Sequence, residues 1–299
     1  MVTKSHPLRL TPDKIFDISN IVFLVVFSVL MIYPFWETIV VSLLPGIKAA
    51  SWGIKLWPED ATLAAYRQAF SSRLIAYGYI NTIFRTVIGT VLSVFVSFCT
   101  AYPLAKKKLP LRNYFTIFFL IPMFFSGGLI PRYLLIRDLG MLDTRASVII
   151  PILLGTYNLL IMRNFIMTIP ESLEESAMID GATFFQVLIK IIIPLSVPIM
   201  ATIALWVAVQ HWNSWFDAMI FIRDETKTVL QLVLQRMIVD QDDTLMLGES
   251  NDTVTGAESV VPESVKAATV LISIGPILLF YPFIQKYFVK GIMIGGLKG

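Results

Sequence analysis

The amino-acid sequence predicts an all-α membrane protein with six transmembrane helices. Of its 299 residues, 56% are hydrophobic and only 15% are charged, and the mean hydropathy is +0.73. A soluble globular domain carries about 25% charged residues, so this deficit indicates a lipid environment. A helix needs roughly 20 apolar residues to cross the hydrocarbon core. Six stretches provide that length: 18–44, 78–105, 114–136, 146–168, 191–222 and 266–285.

Loop charges predict that both termini are cytoplasmic. The segment 1–17 and the loop 106–113 are basic, as expected for the cytoplasmic side of a membrane protein. The apolar run that follows residue 17 is too long for a cleavable signal peptide, so it is predicted to be a retained span. We therefore expect a membrane domain over 18–290 and a cytoplasmic tail over 291–299.

The two long loops on the other side differ in charge. The loop 223–264 has nine Asp or Glu residues against Arg223, Lys227 and Arg236, and we expect it outside the cell. The segment 45–77 has four basic residues against Glu59 and Asp60, which fits the same side poorly. It is long enough to be translocated despite that charge.

The residue content disfavours several other functions. The single cysteine, Cys99, and the two histidines, His6 and His211, offer no metal site, and no intramembrane cluster of acids suggests a catalytic centre. No phosphate-binding Gly-x-x-x-x-Gly-Lys-Ser/Thr sequence occurs, so ATP chemistry requires another polypeptide. The net charge of +3 gives no reason to expect nucleic acid. A secondary transporter would show internal repeats, and a channel would show a selectivity filter; neither pattern is found.

The loop 168–185 has the pattern of a short helix. Thr168 and Glu171 are spaced as a capping box, and the acidic residues that follow favour a helix N-terminus. Asp180 and Gly181 form a predicted stop, since glycine readily adopts positive φ. A free helix this short is unstable in water, so we expect it to dock against this chain or a partner.

This loop resembles the EAA loop of binding-protein-dependent ABC importer permeases. Glu175-Ser176-Ala177 stands where the family has Glu-Ala-Ala, Gly181 is the family's glycine, and Ile191-Ile192-Ile193-Pro194 is the following element. Ser176 and Ile193 depart conservatively from the pattern. The six spans and the tail from Gly291 also resemble the second permease of maltose-type importers.

The resemblance implies a six-helix type I ABC importer fold with a cytoplasmic coupling helix, in a bacterial inner membrane. It also implies a second homologous permease, two ATPase subunits that carry ATP and Mg²⁺, and an extracytoplasmic solute-binding protein that docks on the loop 223–264. This chain itself is expected to bind no cofactor and to catalyse no reaction. The residues implied in ATPase coupling are Glu174, Glu175, Ala177, Asp180, Gly181 and Ala182.

Polar residues within the apolar stretches are candidates for a substrate pathway, because they are costly at membrane depth. Aromatic faces can stack on sugar rings, and amides can bond hydroxyl groups; an interfacial aromatic belt explains the tryptophans equally well. The candidates are Asn81, Arg85, Asn158, Arg163, Gln210, Trp212, Asn213 and Trp215.

The resemblance implies a carbohydrate substrate, more specifically an oligosaccharide. Within the branch, the sequence is most similar to permeases of polysaccharide-utilising systems, and an alginate oligosaccharide is the specific expectation. Arg85, Arg132 and Arg163 could balance the charge of such an anionic sugar. A peptide or an amino acid is the alternative substrate.

Overall fold

The computed structural model describes residues 12–239 and 261–296, and helices are the only regular elements in these two ranges. The α-helices are α1 (Pro12–Leu43), α2 (Gly46–Ala50), α3 (Ala64–Ser71), α4 (Arg73–Ala105), α5 (Arg112–Phe124), α6 (Leu129–Asp138), α7 (Thr156–Ile166), α8 (Glu171–Ile179), α9 (Phe184–Val187), α10 (Ile193–Asn213), α11 (Phe216–Phe221), α12 (Leu230–Val239) and α13 (Pro262–Gly296). Short 3₁₀ segments cover Arg145–Val148, Ile150–Ile152 and Glu225–Lys227.

Among the described residues, four helical segments are long and apolar enough to cross a membrane. They lie at Asp13–Leu43, Arg73–Ala105, Phe184–Asn213 and Pro262–Leu279. Two bent helix pairs bring the number to six if each pair is one span. The predicted all-α membrane fold is therefore confirmed, but two of the six predicted spans are not single straight helices.

The third predicted span, 114–136, is sharply broken. Helices α5 and α6 meet at 115° across the residues 125–128. Gly128 has φ +83°, a backbone conformation that side chains other than glycine's rarely adopt. The fourth predicted span is bent by 48° between Arg145–Ile152 and α7. Apolar length alone predicted two straight spans. The glycines and prolines of these stretches explain why both are bent.

The fifth predicted span starts earlier and ends earlier than its apolar pattern suggests. The helix runs continuously from α9 through a π-helical turn, Leu188–Ile192, into α10, and it stops at Asn213. The amide of Ile193 donates to the carbonyl of Leu188, five residues back. Pro194 has no N–H to donate, and the wider turn lies directly before it. The residues 216–221 form the separate helix α11.

The chain divides into two compact units, one of residues 1–69 and 246–271, the other of residues 70–245 and 272–299. The second unit is organised around α4 and α10. Every fourth residue of α4 faces inward, and most of these are small, so the two backbones approach closely. The buried row of α4 consists of Asn81, Arg85, Gly89, Ser93, Ser97, Ala101 and Ala105. The facing row of α10 consists of Ser196, Ile199, Ile203, Val207 and His211.

In the first unit, α1 is almost fully exposed along its length, as expected of a helix that faces lipid or another subunit. Its last turns carry a small core in which Val40, Leu44 and Ala49 are buried. The hydroxyl groups of Ser42 and Tyr66 are 2.8 Å apart, which links α1 to α3.

The predicted outer loop 223–264 is folded where the structure describes it. Helix α12 buries Leu230, Leu232 and Met237, so residues 230–237 belong to the core and are not an exposed connector. The amide of Leu230 donates to Thr82 Oγ1 of α4 at 2.9 Å. Most of the acidic residues of this loop fall in 240–260, outside the described residues. Its predicted docking role stays a prediction.

Candidate functional site

The predicted coupling segment forms a helix, a tight turn and a second short helix. Helix α8 ends at Ile179, and Gly181 follows with φ +85°. The amide of Ala182 donates to the carbonyl of Ala177 at 2.9 Å, and the amide of Gly181 donates to Met178 at 3.1 Å. These bonds satisfy carbonyl groups that a helix end otherwise leaves free, and they require the left-handed backbone at Gly181. The predicted stop at Asp180-Gly181 is confirmed.

The predicted capping box at Thr168 and Glu171 is wrong. Pro170 occupies the N-cap of α8 without a side-chain bond, while the Thr168 hydroxyl donates to the carbonyl of Phe165. A capping box occurs instead at the start of α9, where the Thr183 side chain and the Gln186 side chain each bond the other's backbone amide. The Thr-x-x-Gln spacing at Thr183 was present in the sequence. The prediction favoured Thr168 because Pro170 follows it, and proline is common in the first turn of a helix.

The six residues predicted for coupling point in different directions. Ala177 and Ala182 pack against the core of the second unit. Glu175 and Asp180 are exposed, and a side chain added at Gly181 would meet no atom within 4 Å. Of the charged residues in this set, Glu174 turns inward, where its carboxylate forms an ion pair with Lys106 at the end of α4. The prediction did not distinguish between the two adjacent glutamates.

Four large apolar side chains of α8 and the start of α9 are exposed: Leu173, Met178, Ile179 and Phe185. Ile179 is 85% exposed and Phe185 is 70% exposed, and α8 has no buried residue. Lys190 and Gln186 line a shallow cavity of about 350 Å³ beside Gly181. We call these four apolar residues with Glu175 and Asp180 the docking face.

The two polar candidates of α4 are fully engaged within the chain. The Arg85 guanidinium forms an ion pair with Asp217, donates to the carbonyl of Ser214 at 3.3 Å, and donates from Nε to His211 Nδ1 at 3.3 Å. Asn81 donates to the carbonyls of Thr226 and Thr228 at 2.7 and 3.0 Å. Both side chains are buried and hold α4 to the segment 214–228, and their role in a substrate pathway stays a prediction.

The candidates at the end of α10 separate into buried and exposed residues. Trp212 is buried, and its indole N–H donates to the carbonyl of Ser273 at 3.1 Å. Trp215 packs against the small core beneath α11. Gln210 and Asn213 are exposed and remain available to a solute.

Helix α7 carries the last two candidates at opposite ends. Arg163 donates from Nε to the carbonyl of Leu104 at 3.1 Å, in the last turn of α4. Asn158 is half-buried near Gly155. Arg163 therefore holds α7 to the end of α4, and its role with an anionic solute stays a prediction.

The sequence reasoning missed four residues of interest. Tyr157 and Trp206 form an aromatic pair with ring centroids 6.0 Å apart, and Tyr157 is exposed. Trp206 and Gln210 are one helical turn apart on α10, so they share a face. Asp217 neutralises Arg85, and Arg145 donates to Asn81 Oδ1 at 3.0 Å. The spacing of four from Trp206 to Gln210 and of three from Gln210 to Asn213 was the signal for Trp206, whereas nothing in the sequence pointed to Asp217 and Arg145 as partners of α4.

A polar turn fixes the start of the segment 223–239. Asp143 Oδ1 accepts the backbone amides of Arg223 and Asp224 at 3.1 and 3.0 Å. These two amide donors hold the pKa of the Asp143 carboxyl below its ordinary value. Lys227 donates to the Asp143 carbonyl at 3.0 Å, and hydrogen bonding to Asp224 raises the pKa of Lys227.

Comparison with known proteins identifies a consistent set of relatives. The sequence model for the family described as "Binding-protein-dependent transport system inner membrane component" matches residues 86–294. The protein LplC of Bacillus subtilis (strain 168) is 40% identical over 287 residues, which cover 96% of this chain and 96% of that protein. The polygalacturonan/rhamnogalacturonan transport system permease protein YtcP of the same strain is 36% identical over 288 residues, covering 96% and 99%.

A solved structure with the same fold is also known. It is a crystal structure of a bacterial ABC transporter involved in the import of the acidic polysaccharide alginate. One of its chains matches this chain with a TM-score of 0.86 at 36% identity, covering 95% of this chain and 100% of its own length.

Proposed function

Because this chain belongs to the family of binding-protein-dependent transport system inner membrane components, we propose that it forms half of the translocation pathway of an ATP-driven carbohydrate importer. Its relatives include a permease for polygalacturonan and rhamnogalacturonan and a subunit of an alginate importer. An oligosaccharide, and within that class an acidic one, is the substrate we propose. A peptide or amino acid is not favoured by these relatives.

The docking face is the observation that carries this proposal. A nine-residue helix with no buried residue gains too little from its own hydrogen bonds to be stable alone. Ala177 and the Gly181 turn fix α8 to the core, which leaves Ile179 and Phe185 exposed beside two carboxylates. An apolar surface with an acidic rim, held rigidly on a loop, fits a separate protein partner. We assign this partner as an ATPase subunit that binds ATP and Mg²⁺.

The orientation follows from charge. The residues 106–108 are consecutive lysines close to α8, so we place the docking face on the cytoplasmic side, together with both termini. The complete importer then contains a second homologous permease, two ATPase subunits and an extracytoplasmic solute-binding protein. This chain has no part in ATP hydrolysis and needs no cofactor of its own.

The solute surface lies toward the other end of α10. Tyr157 and Trp206 present aromatic faces, and Gln210 and Asn213 present amides on the same side of the helix. Flat aromatic faces with nearby hydrogen-bonding amides suit sugar rings and their hydroxyl groups. The exposed Arg132 and Arg145 are candidate cations for an acidic sugar, whereas Asp217 already neutralises Arg85.

The test is substrate-stimulated ATP hydrolysis and uptake by the reconstituted importer. Glu175→Ala and Gly181→Asp should abolish both, because the first removes a carboxylate from the docking face and the second forces a side chain onto a positive-φ backbone. Glu171→Ala is the control for loss of a neighbouring carboxylate, since Glu171 is exposed in the first turn of α8, one turn before Glu175, and is not part of the docking face as defined. It should behave as the unaltered protein.

Co-purification separates loss of docking from loss of folding. The two permeases should still purify together in each variant, while the ATPase subunits dissociate from Gly181→Asp. Normal uptake in both Glu175→Ala and Gly181→Asp would refute the coupling assignment. Stimulation by a peptide but by no neutral or acidic oligosaccharide would refute the carbohydrate assignment alone.

A further inference from the structure

The adjacent residues Glu174 and Glu175 have opposite environments. The Glu175 side chain is exposed on the docking face, whereas the Glu174 side chain is only 12% exposed. Glu174 Oε1 pairs with Lys106 Nζ, and Tyr102 donates its hydroxyl to Glu174 Oε2 at 3.5 Å. We call Glu174, Lys106 and Tyr102 the clasp.

The clasp joins α8 to the last turn of α4. Lys106 is the C-cap residue of α4, where a cation also interacts favourably with the helix dipole. Its Nζ lies 4.7 Å from the centroid of the Tyr102 ring, within the range of a cation–π contact. The Lys106 side chain is 27% exposed, so both charges of the pair are largely shielded from water.

Tyr102 anchors the clasp in the core. It is 4% exposed and stacks on Phe98 with ring centroids 6.3 Å apart. The Tyr102 ring also packs against the Phe184 ring of α9, with centroids 5.8 Å apart. The clasp therefore connects α4 to the helices on both sides of the Gly181 turn.

The same end of α4 is also held by two arginines. Arg112 of α5 and Arg163 of α7 both donate from Nε to the carbonyl of Leu104, at 2.9 and 3.1 Å. This carbonyl lies in the last turn of α4, where helical partners run out. The clasp links this end of α4 to α8 through polar contacts.

We propose that Glu174 is a positioning residue that transmits displacement of α8 to α4, while Glu175 faces the partner. This inference rests on the proposed function, since it needs a partner that moves α8. A short helix touching the core through small residues alone could slide when pushed. The ion pair between Glu174 and Lys106, which rests on the buried Tyr102 ring, resists sliding, so that α4 moves when α8 moves.

The readout is the number of ATP molecules hydrolysed per solute imported, measured on the assembled importer in proteoliposomes. Glu174→Gln and Lys106→Met should raise this ratio several-fold, because ATP is still hydrolysed but α4 no longer follows α8. A loss of fold would lower hydrolysis and uptake together and leave the ratio unchanged. Only preparations in which all subunits co-purify are compared.

Matched variants keep the proposal falsifiable. Lys106→Arg retains the cation and should keep a normal ratio. The charge swap of Lys106→Glu with Glu174→Lys should recover most of the coupling lost in either single change. Lys107→Met, an exposed neighbour, is the control for loss of a lysine and should have no effect.

The outcomes separate this inference from the proposed function. If Glu174→Gln and Lys106→Met both keep a normal ratio while Gly181→Asp still releases the ATPase, the clasp proposal is wrong and docking stands. If the swap recovers nothing although both single variants are uncoupled, the pair does not act as a pair and the proposal is overturned. If Gly181→Asp has no effect either, the docking assignment itself fails.

Discussion

The contact between α4 and α10 at Gly89 provides the most quantitative prediction. A Cβ atom at this position would lie 2.6 Å from His211 Cε1 and 2.8 Å from His211 Cδ2, distances that real Cβ atoms essentially never show. The His211 ring is 1% exposed, and its Nδ1 accepts from Arg85, so it has little freedom to turn away. Gly89→Ala therefore forces the two helices apart.

The expected cost combines two opposing effects. Adding a methyl group to a packed core costs about 1–3 kcal/mol through displaced side chains and backbone. Replacing glycine by alanine in a helix gains about 0.5–1 kcal/mol in backbone entropy. Because the added Cβ would overlap several atoms of a held ring, the upper part of the overpacking range applies, about 2–3 kcal/mol. The net loss is then about 1–2.5 kcal/mol, which corresponds to roughly 2–10 °C in the midpoint of thermal unfolding.

The assay is thermal unfolding of the purified permease pair in detergent, with Gly275→Ala as the control. Gly275 is also helical, but an added Cβ would meet nothing within 4 Å, so that variant should be unchanged or slightly more stable. Removing the obstructing ring with His211→Ala should make Gly89→Ala less costly than it is alone. A Gly89→Ala protein as stable as the Gly275→Ala protein, with no dependence on His211, would refute the reasoning.

Two further predictions concern charged groups. Asp217→Asn should destabilise the protein by about 3–5 kcal/mol, because it leaves a buried guanidinium without its counter-charge; Asp138→Asn, which breaks an exposed pair with Arg137, should cost about 0–1 kcal/mol. Equal melting midpoints for the two variants would contradict this. The lowered pKa of Asp143 means that its contribution is complete above the ordinary value of 3.8 and is lost as the pH falls through the lower folded value. Amide exchange at Arg223 and Asp224, corrected for intrinsic rates, should be constant from about pH 7 to pH 5; Asp143→Asn should speed it throughout that range, and unchanged exchange would exclude the carboxylate as the anchor.

The sequence was sufficient for the fold class and the coupling turn because both have local causes. Apolar runs of spanning length and a Gly after a short helix are patterns within a few residues of each other. The bend at residues 125–128 was missed because apolar content was counted without its Ser-Gly-Gly interruption. The capping box at Thr183 was missed for a similar reason, since a plausible alternative stood fifteen residues earlier.

The pathway residues were harder to predict, because a polar residue at membrane depth can form its hydrogen bonds either within the chain or with a solute. The sequence shows that Arg85 and Asn81 are polar, but whether their hydrogen bonds are made within the chain depends on Asp217, Thr226 and Thr228, more than 100 residues away. One signal was available in the sequence. The residues at every fourth position from Asn81 to Ala105 mostly have small side chains. This pattern indicates a helix that packs closely against another along its length and not one that lines a wide passage.

Polar contacts hold α4 to other segments at two separate places, which suits the helix to transmit a displacement. Its 33 residues span about 50 Å at 1.5 Å per residue. In the first half of the helix Asn81 and Arg85 are bonded to the segment 214–228, and at its C-cap Lys106 is bonded to α8. The only proline inside the helix, Pro103, lies in its last turn, so no internal break absorbs a displacement. Under the proposal above, movement of α8 would reach the segment 214–228 through α4 as a rigid body, and α10, packed along the small-residue row, would move with it.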